Sequence, residues 1–173
     1  LETLLSEVKQ ISGVANASCI AHDMTGHHSG TWGLQWEGKD PEDRTEFENV
    51  AVGYDMLETL GIRMATGRMF SRDFNAETAK IIISETGIKL MGLTDPIGKT
   101  VRLWDSYDLE IIGISKDFNY ESLHENYKPL FFRLAPQSTY VVMVRLEGGR
   151  QQQPIASLQS VYKDLNPGFS LDY

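Results

Sequence analysis

Tyr140-Val141-Val142-Met143-Val144-Arg145-Leu146, then the break Gly148-Gly149 and Pro154, is the stretch that decides the fold. β-Branched residues suit a pleated surface, and the near-continuous apolar run predicts a central strand in a covered sheet. Pro154 fits a first helical turn, where its missing N–H is no loss. Ile155, Leu158, Val161, Tyr162 and Leu165 then recur at helical spacing as one apolar stripe. Asn166-Pro167-Gly168 stops that helix, and residues 169–173 read as a closing strand. At the other end, Leu4, Leu5, Val8 and Ile11 mark an amphipathic helix that Gly13 terminates, and residues 14–23 read as a strand. Helix–strand at the start and strand–helix–strand at the end predict one α/β sheet built from both chain ends.

The texture of the chain changes near residue 53. Residues 24–30 read as a loop. Thr31-Trp32-Gly33-Leu34-Gln35-Trp36 alternates as one half-buried strand does, and residues 46–52 return as a second strand after a turn at 38–43. Residues 54–60 read as a short helix closed by Gly61, and residues 62–64 open an extended segment that ends at Gly67-Arg68. Ile81-Ile82-Ile83 predicts a buried strand, Ser84 a cap for the helix at 85–91, and Gly92 its end. Residues 100–104 and 109–114 predict paired strands around Asp105-Ser106-Tyr107-Asp108, and residues 130–134 a further strand. The expected class is α+β. Residues 1–52 and 138–173 form an α/β part, and residues 53–137 an inserted, mixed, strand-rich part. No internal repeat or low-complexity linker interrupts the chain.

Composition narrows the function classes. A chain of 173 residues with 41% hydrophobic content, three Trp, seven Tyr and seven Phe has the size of one domain and buries about 70% of its unfolded surface. A net charge of −8 without a basic stretch argues against a nucleic-acid partner, whose phosphates demand neutralisation. No run approaches the ~20 apolar residues of a membrane span, so the sequence as it stands reads as soluble. Cys19 is the single cysteine, which excludes an intrachain disulfide. The text opens Leu1-Glu2-Thr3, without an initiator Met or signal peptide, and reads as a piece excised from a longer polypeptide.

The residues that could form a reaction centre all have ordinary readings. Gly92 to Thr100 imitates a phosphate-binding loop, but five residues separate its glycines, a helix precedes it and a strand follows, and Pro96 removes an amide donor. His22, Asp23, His27 and His28 sit in a Gly/Thr/Ser loop without rigid ligand geometry, and His124 stands alone. Asp40/Glu42/Asp43 and Asp105/Asp108 fall in turns where no desolvated cleft separates their pKa values. Cys19 reads as a small packed hydrophobe. No catalytic, metal or cofactor residue is assigned. Trp32 and Trp36, at i and i+4 of one strand, point to one face and are candidate partner contacts beside a loop.

One resemblance covers most of the chain. Val52-Gly53-Tyr54-Asp55-Met56-Leu57-Glu58-Thr59-Leu60-Gly61-Ile62 is followed by Gly67-Arg68-Met69-Phe70 and Ile82-Ile83-Ser84-Glu85. Next come Gly92-Leu93 with Asp95-Pro96-Ile97-Gly98-Lys99, and Ile111-Ile112-Gly113-Ile114-Ser115-Lys116-Asp117-Phe118. In this order and spacing they resemble the periplasmic core domain of MacB-like ABC transporter permeases, within the wider FtsX/LolC-type group. Asp117-Phe118-Asn119-Tyr120 and Asn166-Pro167-Gly168 are similar to Bacteroidetes-type sequences. The resemblance implies an extracytoplasmic domain between two membrane helices, on the periplasmic face of the inner membrane, with a porter-like part from both chain ends and a Sabre-like part from the middle. It implies an integral membrane protein whose partners are a cytoplasmic ABC ATPase, a second permease half or protomer, and a periplasmic protein or cargo. Gly61, Gly67, Arg68, Pro96, Gly98, Gly113, Asp117 and Phe118 are then structural motif residues, with Arg68 and Asp117 tying loops by a charge-assisted bond. The segment bearing Trp32 and Trp36 matches no family motif. Drug or peptide export, lipoprotein release and control of a cell-wall hydrolase stay equally open. The alternative is a free-standing ligand-binding or sensor ectodomain.

Overall fold

Ile81, Ile82 and Ile83 are fully buried in the middle of a large mixed sheet, where β-branched side chains fit the pleat. The computed structural model of the protein describes residues 1–23, 29–118, 127–149 and 152–165. In chain order its elements are α1 (Glu2–Lys9), β1 (Val14–Ile20), β2 (Gly30–Thr31), β3 (Leu34–Gln35), β4 (Phe47–Val52), α2 (Met56–Leu60) and β5 (Met64–Gly67). These are followed by β6 (Lys80–Ser84), α3 (Glu85–Met91), β7 (Thr100–Leu103), β8 (Tyr107–Ser115), β9 (Leu130–Leu134), β10 (Val141–Leu146) and α4 (Gln152–Leu165). Short 3₁₀ turns cover Glu77–Ala79 and Pro136–Ser138. The class is α+β. The sheet order is β10-β1-β4-β9-β6-β8-β7-β3, with β2 branching from β4 and β5 from β8.

Side chains two apart along a strand share a face, so the sheet carries a core on each side. On β9, Leu130, Phe132 and Leu134 join Val50, Val52 and Ile82 on one face, under Met56 and Leu57 of α2. Phe131 joins Phe47, Ile81, Ile83 and Ile111 on the other, under Met91 of α3. Each such fully buried side chain contributes about 1.5–3 kcal/mol. The start of α3 is fixed by Ser84, whose Oγ accepts from the Gly87 N–H at 3.1 Å and from the Leu130 N–H of β9 at 3.2 Å. Ser84→Ala leaves both buried donors unmatched. It is expected to lower stability by about 1–2 kcal/mol, read as a fall in the urea midpoint with an unchanged m-value.

Two strand expectations are corrected. Residues 31–36 do not form one strand. Gly30 and Thr31 pair with Glu48 and Phe47 of β4, whereas Leu34 and Gln35 pair with Leu103 and Arg102 of β7. The chain changes neighbours at Trp32 and Gly33, which breaks the parity that aligned the two tryptophans. Among the described residues β10 is not central but lies at the sheet edge, antiparallel to β1 from Val14↔Leu146 to Ile20↔Val141. Its valines are half-buried, since among the described residues only one of its sides is paired. The predicted loop at 24–28, the helix stop at 166–168 and the closing strand at 169–173 lie outside the described residues.

The chain-terminal helices are brought together. Gly13, after α1, sits against Pro154 of α4, whose Cγ is 2.6 Å from where a Gly13 Cβ would stand. β1 and β10, which follow α1 and precede α4, are antiparallel, and α1 packs on both β1 and α4. The sheet is continuous across residues 52/53 and 137/138, because β4 pairs in parallel with β9 over Glu48↔Leu130 to Val52↔Leu134.

Candidate functional site

Arg133 is the charged interruption in the apolar strand Leu130–Leu134. Its β-sheet neighbours are Ala51 and Ile81, which offer no side-chain partner. The guanidinium instead bonds along the sheet, its Nε donating to Asn49 Oδ1 at 2.9 Å, and lies 5.4 Å from the Trp104 ring centre. Burial pushes its pKa down from the ordinary value, against a smaller opposing pull from Tyr107. It lines a cavity of about 610 Å³ framed by the turn between β7 and β8, the end of β9 and the two 3₁₀ turns.

Trp104 is held in this wall at both ends. Its backbone N–H donates to the Gly33 carbonyl at 2.9 Å, and its Nε1 donates to Thr31 Oγ1 at 3.0 Å. The indole lies where a Gly33 side chain would start, its Nε1 3.0 Å from that point. Trp104 and Asp105 both take positive φ, 52° and 55°, a conformation costing roughly 1–2 kcal/mol per residue. Tyr107 meets the indole edge-on, with ring centres 6.1 Å apart. Asp108, also in the wall, is engaged by Arg102 through Nε–Oδ1 at 2.7 Å and Nη2–Oδ2 at 3.1 Å.

Of the two tryptophans expected on one face, Trp32 is 58% exposed and Trp36 only 9%. Trp36 packs edge-on to Phe47 at 5.9 Å and belongs to the core. Lys39 lies over its ring at 4.5 Å and donates to the Leu34 carbonyl; burial lowers the Lys39 pKa. Trp36 therefore lies in the core and presents little surface to a partner.

The motif residues each have a mechanical place. Gly61 closes α2 with φ 72°, and the Arg145 guanidinium of β10 covers it while donating to the Glu58 and Thr59 carbonyls. Gly67 and Gly113 face each other across β5 and β8. Pro96 and Gly98 shape a turn docked on β8, with Gly98 N–H donating to the Ile111 carbonyl at 2.8 Å. Arg68 and Asp117 tie loops, though not to each other. Arg68 grips Glu77 with both Nη atoms at 2.9 and 2.7 Å, and Asp117 accepts from the Thr86 N–H and Oγ1 at 3.0 and 2.8 Å. Phe118 stacks on Phe132 at 6.1 Å. Sequence reasoning missed Glu77, Trp104 and Arg133; for Arg133 the available signal was a lone cation amid Leu130-Phe131-Phe132 and Leu134. Of the His22, Asp23, His27 and His28 group, which the sequence does not support as a metal site, His27 and His28 lie outside the described residues, as does His124.

A sequence profile of the MacB-like periplasmic core domain matches residues 5–160. The macrolide export ATP-binding/permease protein MacB of Neisseria gonorrhoeae is 31% identical over 67 residues, 38% of this chain and 10% of that protein. The match thus spans about a tenth of the length of such curated relatives. Among solved structures, the periplasmic region of MacB from Actinobacillus actinomycetemcomitans aligns with 95% of this chain and 73% of its own, at TM-score 0.65 and 14% identity. The extracellular domain of the noncanonic ABC-type transporter YknZ from Gram-positive bacteria aligns with 95% and 82%, at TM-score 0.64 and 19% identity. At these identities the likeness is one of fold.

Proposed function

The chain belongs to the MacB-like periplasmic core domain family, and on that premise we propose that it is a non-catalytic moving part of an ABC transporter permease. It relays ATP-driven motion of the membrane helices to a client or partner protein in the periplasm. ATP is hydrolysed in a separate cytoplasmic subunit or domain, and two such permease halves or protomers work as a pair. The full protein is integral to the inner membrane, with this domain on the periplasmic face. Residues 1–52 and 138–173 act as the porter-like part and residues 53–137 as the Sabre-like part.

The observation that supports this reading is the packing of α1 on α4, with Gly13 against Pro154. Two membrane helices attached to those ends can then drive the sheet as one body, in a hinge or shear movement. Asp55 strengthens the connection. Its Oδ2 takes Lys9 of α1 at 2.6 Å and Arg72 at 3.0 Å, and Arg72 lies over the Tyr54 ring at 4.4 Å. Burial acts to raise the Asp55 pKa, but the two cations outweigh it and hold the carboxyl below its ordinary value.

The test uses the full-length permease, whose gene should encode apolar segments of ~20 residues before Leu1 and after Tyr173. Spin labels at Ser106 of the two protomers should change separation between nucleotide-free and ATP-trapped states; an unchanged distance rejects the relay. Asp55→Asn keeps a residue that tolerates the positive φ of 68° and removes the charge. Partly exposed ion pairs contribute about 0.2–1 kcal/mol each, so the isolated domain should lose less than ~2 kcal/mol. Transport by the intact permease should fall several-fold if α1 transmits motion through this contact.

A further inference from the structure

We propose that the cavity between the β7–β8 turn and the end of β9 binds an organic carboxylate with a flat apolar body, held by Arg133. Of an arginine's five N–H donors, Nε is taken by Asn49. Among the described residues no acceptor engages the two Nη groups, and no carboxylate lies within ion-pair distance. A guanidinium fork presents parallel donors at the spacing of a carboxylate's two oxygens. Among the described residues Arg133 is also the only cationic side chain lining the cavity. The one carboxylate there, Asp108, has both oxygens bound to Arg102 and does not compete for Arg133.

The walls select the rest of the ligand. Trp104, Tyr107, Leu103 and Leu109 supply apolar lining, and Ser106 and Gln137 add polar groups. The volume of about 610 Å³ lies within the roughly 300–1,000 Å³ of small-ligand sites. Trp104 is fixed there despite a left-handed backbone, by two hydrogen bonds and the missing side chain at Gly33. Strain of that kind persists where the surroundings enforce it, commonly at ligand-binding positions. With a net charge of −8, the domain as a whole repels anions, so recognition here rests on short-range bonding. Two sources share this chemistry: a free aromatic acid, and the C-terminal residue of a peptide ending in an aromatic side chain.

The test is an NMR titration of this chain, following the Trp104 indole N–H and the Arg133 Nε–H. The probes are phenylacetate, the tripeptide Gly-Gly-Phe with a free C-terminus, and the same tripeptide amidated. Both free acids should shift the two signals saturably, and the amide should bind at least about tenfold more weakly, as expected when a buried charge loses its partner. Tighter binding of the tripeptide acid than of phenylacetate identifies a peptide end, and the reverse a free small acid. Arg133→Gln should weaken the acids about tenfold and leave the amide unchanged. Equal binding of acid and amide by the unsubstituted chain, or no saturable shift with either acid up to about 10 mM, overturns the proposal without relying on the variant's folding.

Discussion

Glu77→Ala should lower the free energy of unfolding by about 3 kcal/mol, the lower end of the range for breaking a buried ion pair. For a chain of this size that is a fall in Tm of about 6–12 °C. The side chain of Glu77 is 1% exposed and that of its partner Arg68 33%. Its two oxygens take both Nη atoms of Arg68, and Oε2 also takes the Ser71 N–H at 3.0 Å. Removing the carboxylate leaves the Arg68 cation with the Met69 carbonyl and the Phe74 ring, which it covers at 4.0 Å. The segment from Gly67 to Ala79 then loses its internal anchor, and with it the burial of Phe70. Glu77→Gln keeps the volume and one acceptor, and should cost less than the alanine. A loss below about 1 kcal/mol for Glu77→Ala would place the pair among ordinary surface salt bridges.

The same carboxylate has a pH signature. Burial acts to raise the Glu77 pKa, and the bonds from Arg68 and Ser71 outweigh it, so the folded value lies below the ordinary one. A depressed carboxylate pKa stabilises the fold fully above the unfolded value, about 4.3, and that contribution disappears as pH falls through the folded value. The stability gap between the native chain and Glu77→Gln should therefore be constant at neutral pH and narrow below about pH 4.3. Urea midpoints measured across that window check it.

The architecture was legible wherever local chemistry agrees with the final contacts. Ile81-Ile82-Ile83, the Ser84 cap and the Gly92 stop depend on neighbours within a few residues, and all three are found as read. Residues 31–36 failed because their two halves answer to different strands, β4 and β7, that are distant in sequence. The alternation was real in the text, yet the change of neighbour at Gly33 is set by Trp104, 71 positions later, occupying the space of the missing side chain. β10, at the sheet edge among the described residues, departs from expectation for a related reason: apolar content reports affinity for a sheet, not position in it. The pocket was the least legible part. Its arginine, its strained tryptophan and the acid that quiets Arg102 come from separate elements, and no spacing rule joins them.

Gly113→Val separates the two ways of reading a glycine in a strand. By propensity alone the exchange should stabilise β8, since valine favours strands and glycine weakens them, by up to about 1 kcal/mol. The contacts predict the opposite sign. A Cβ on Gly113 would stand 2.5 Å from the Arg68 carbonyl oxygen and against the Met64 methyl. The facing Gly67, at φ 74°, has no room either, because its Cβ would fall 2.7 Å from the Gly113 Cα. Backbone atoms cannot rotate out of the way as a side-chain tip can, so β5 must leave β8 or β8 must buckle. Overpacking of this kind costs about 1–3 kcal/mol, and a β-branched residue should reach the upper end, with Gly113→Ala near the lower. Moving β5 also breaks the bond from Arg68 N–H to the Ile112 carbonyl at 3.0 Å, which positions Arg68 for Glu77. The loss in Gly113→Val/Glu77→Ala should therefore fall short of the sum of the single losses by more than about 0.5 kcal/mol, because the two changes dismantle one segment. Denaturant unfolding of the four proteins in that cycle decides it: full additivity means that the glycine contact and the ion pair are independent, and a stabilised Gly113→Val means that β8 has space the close approach denies.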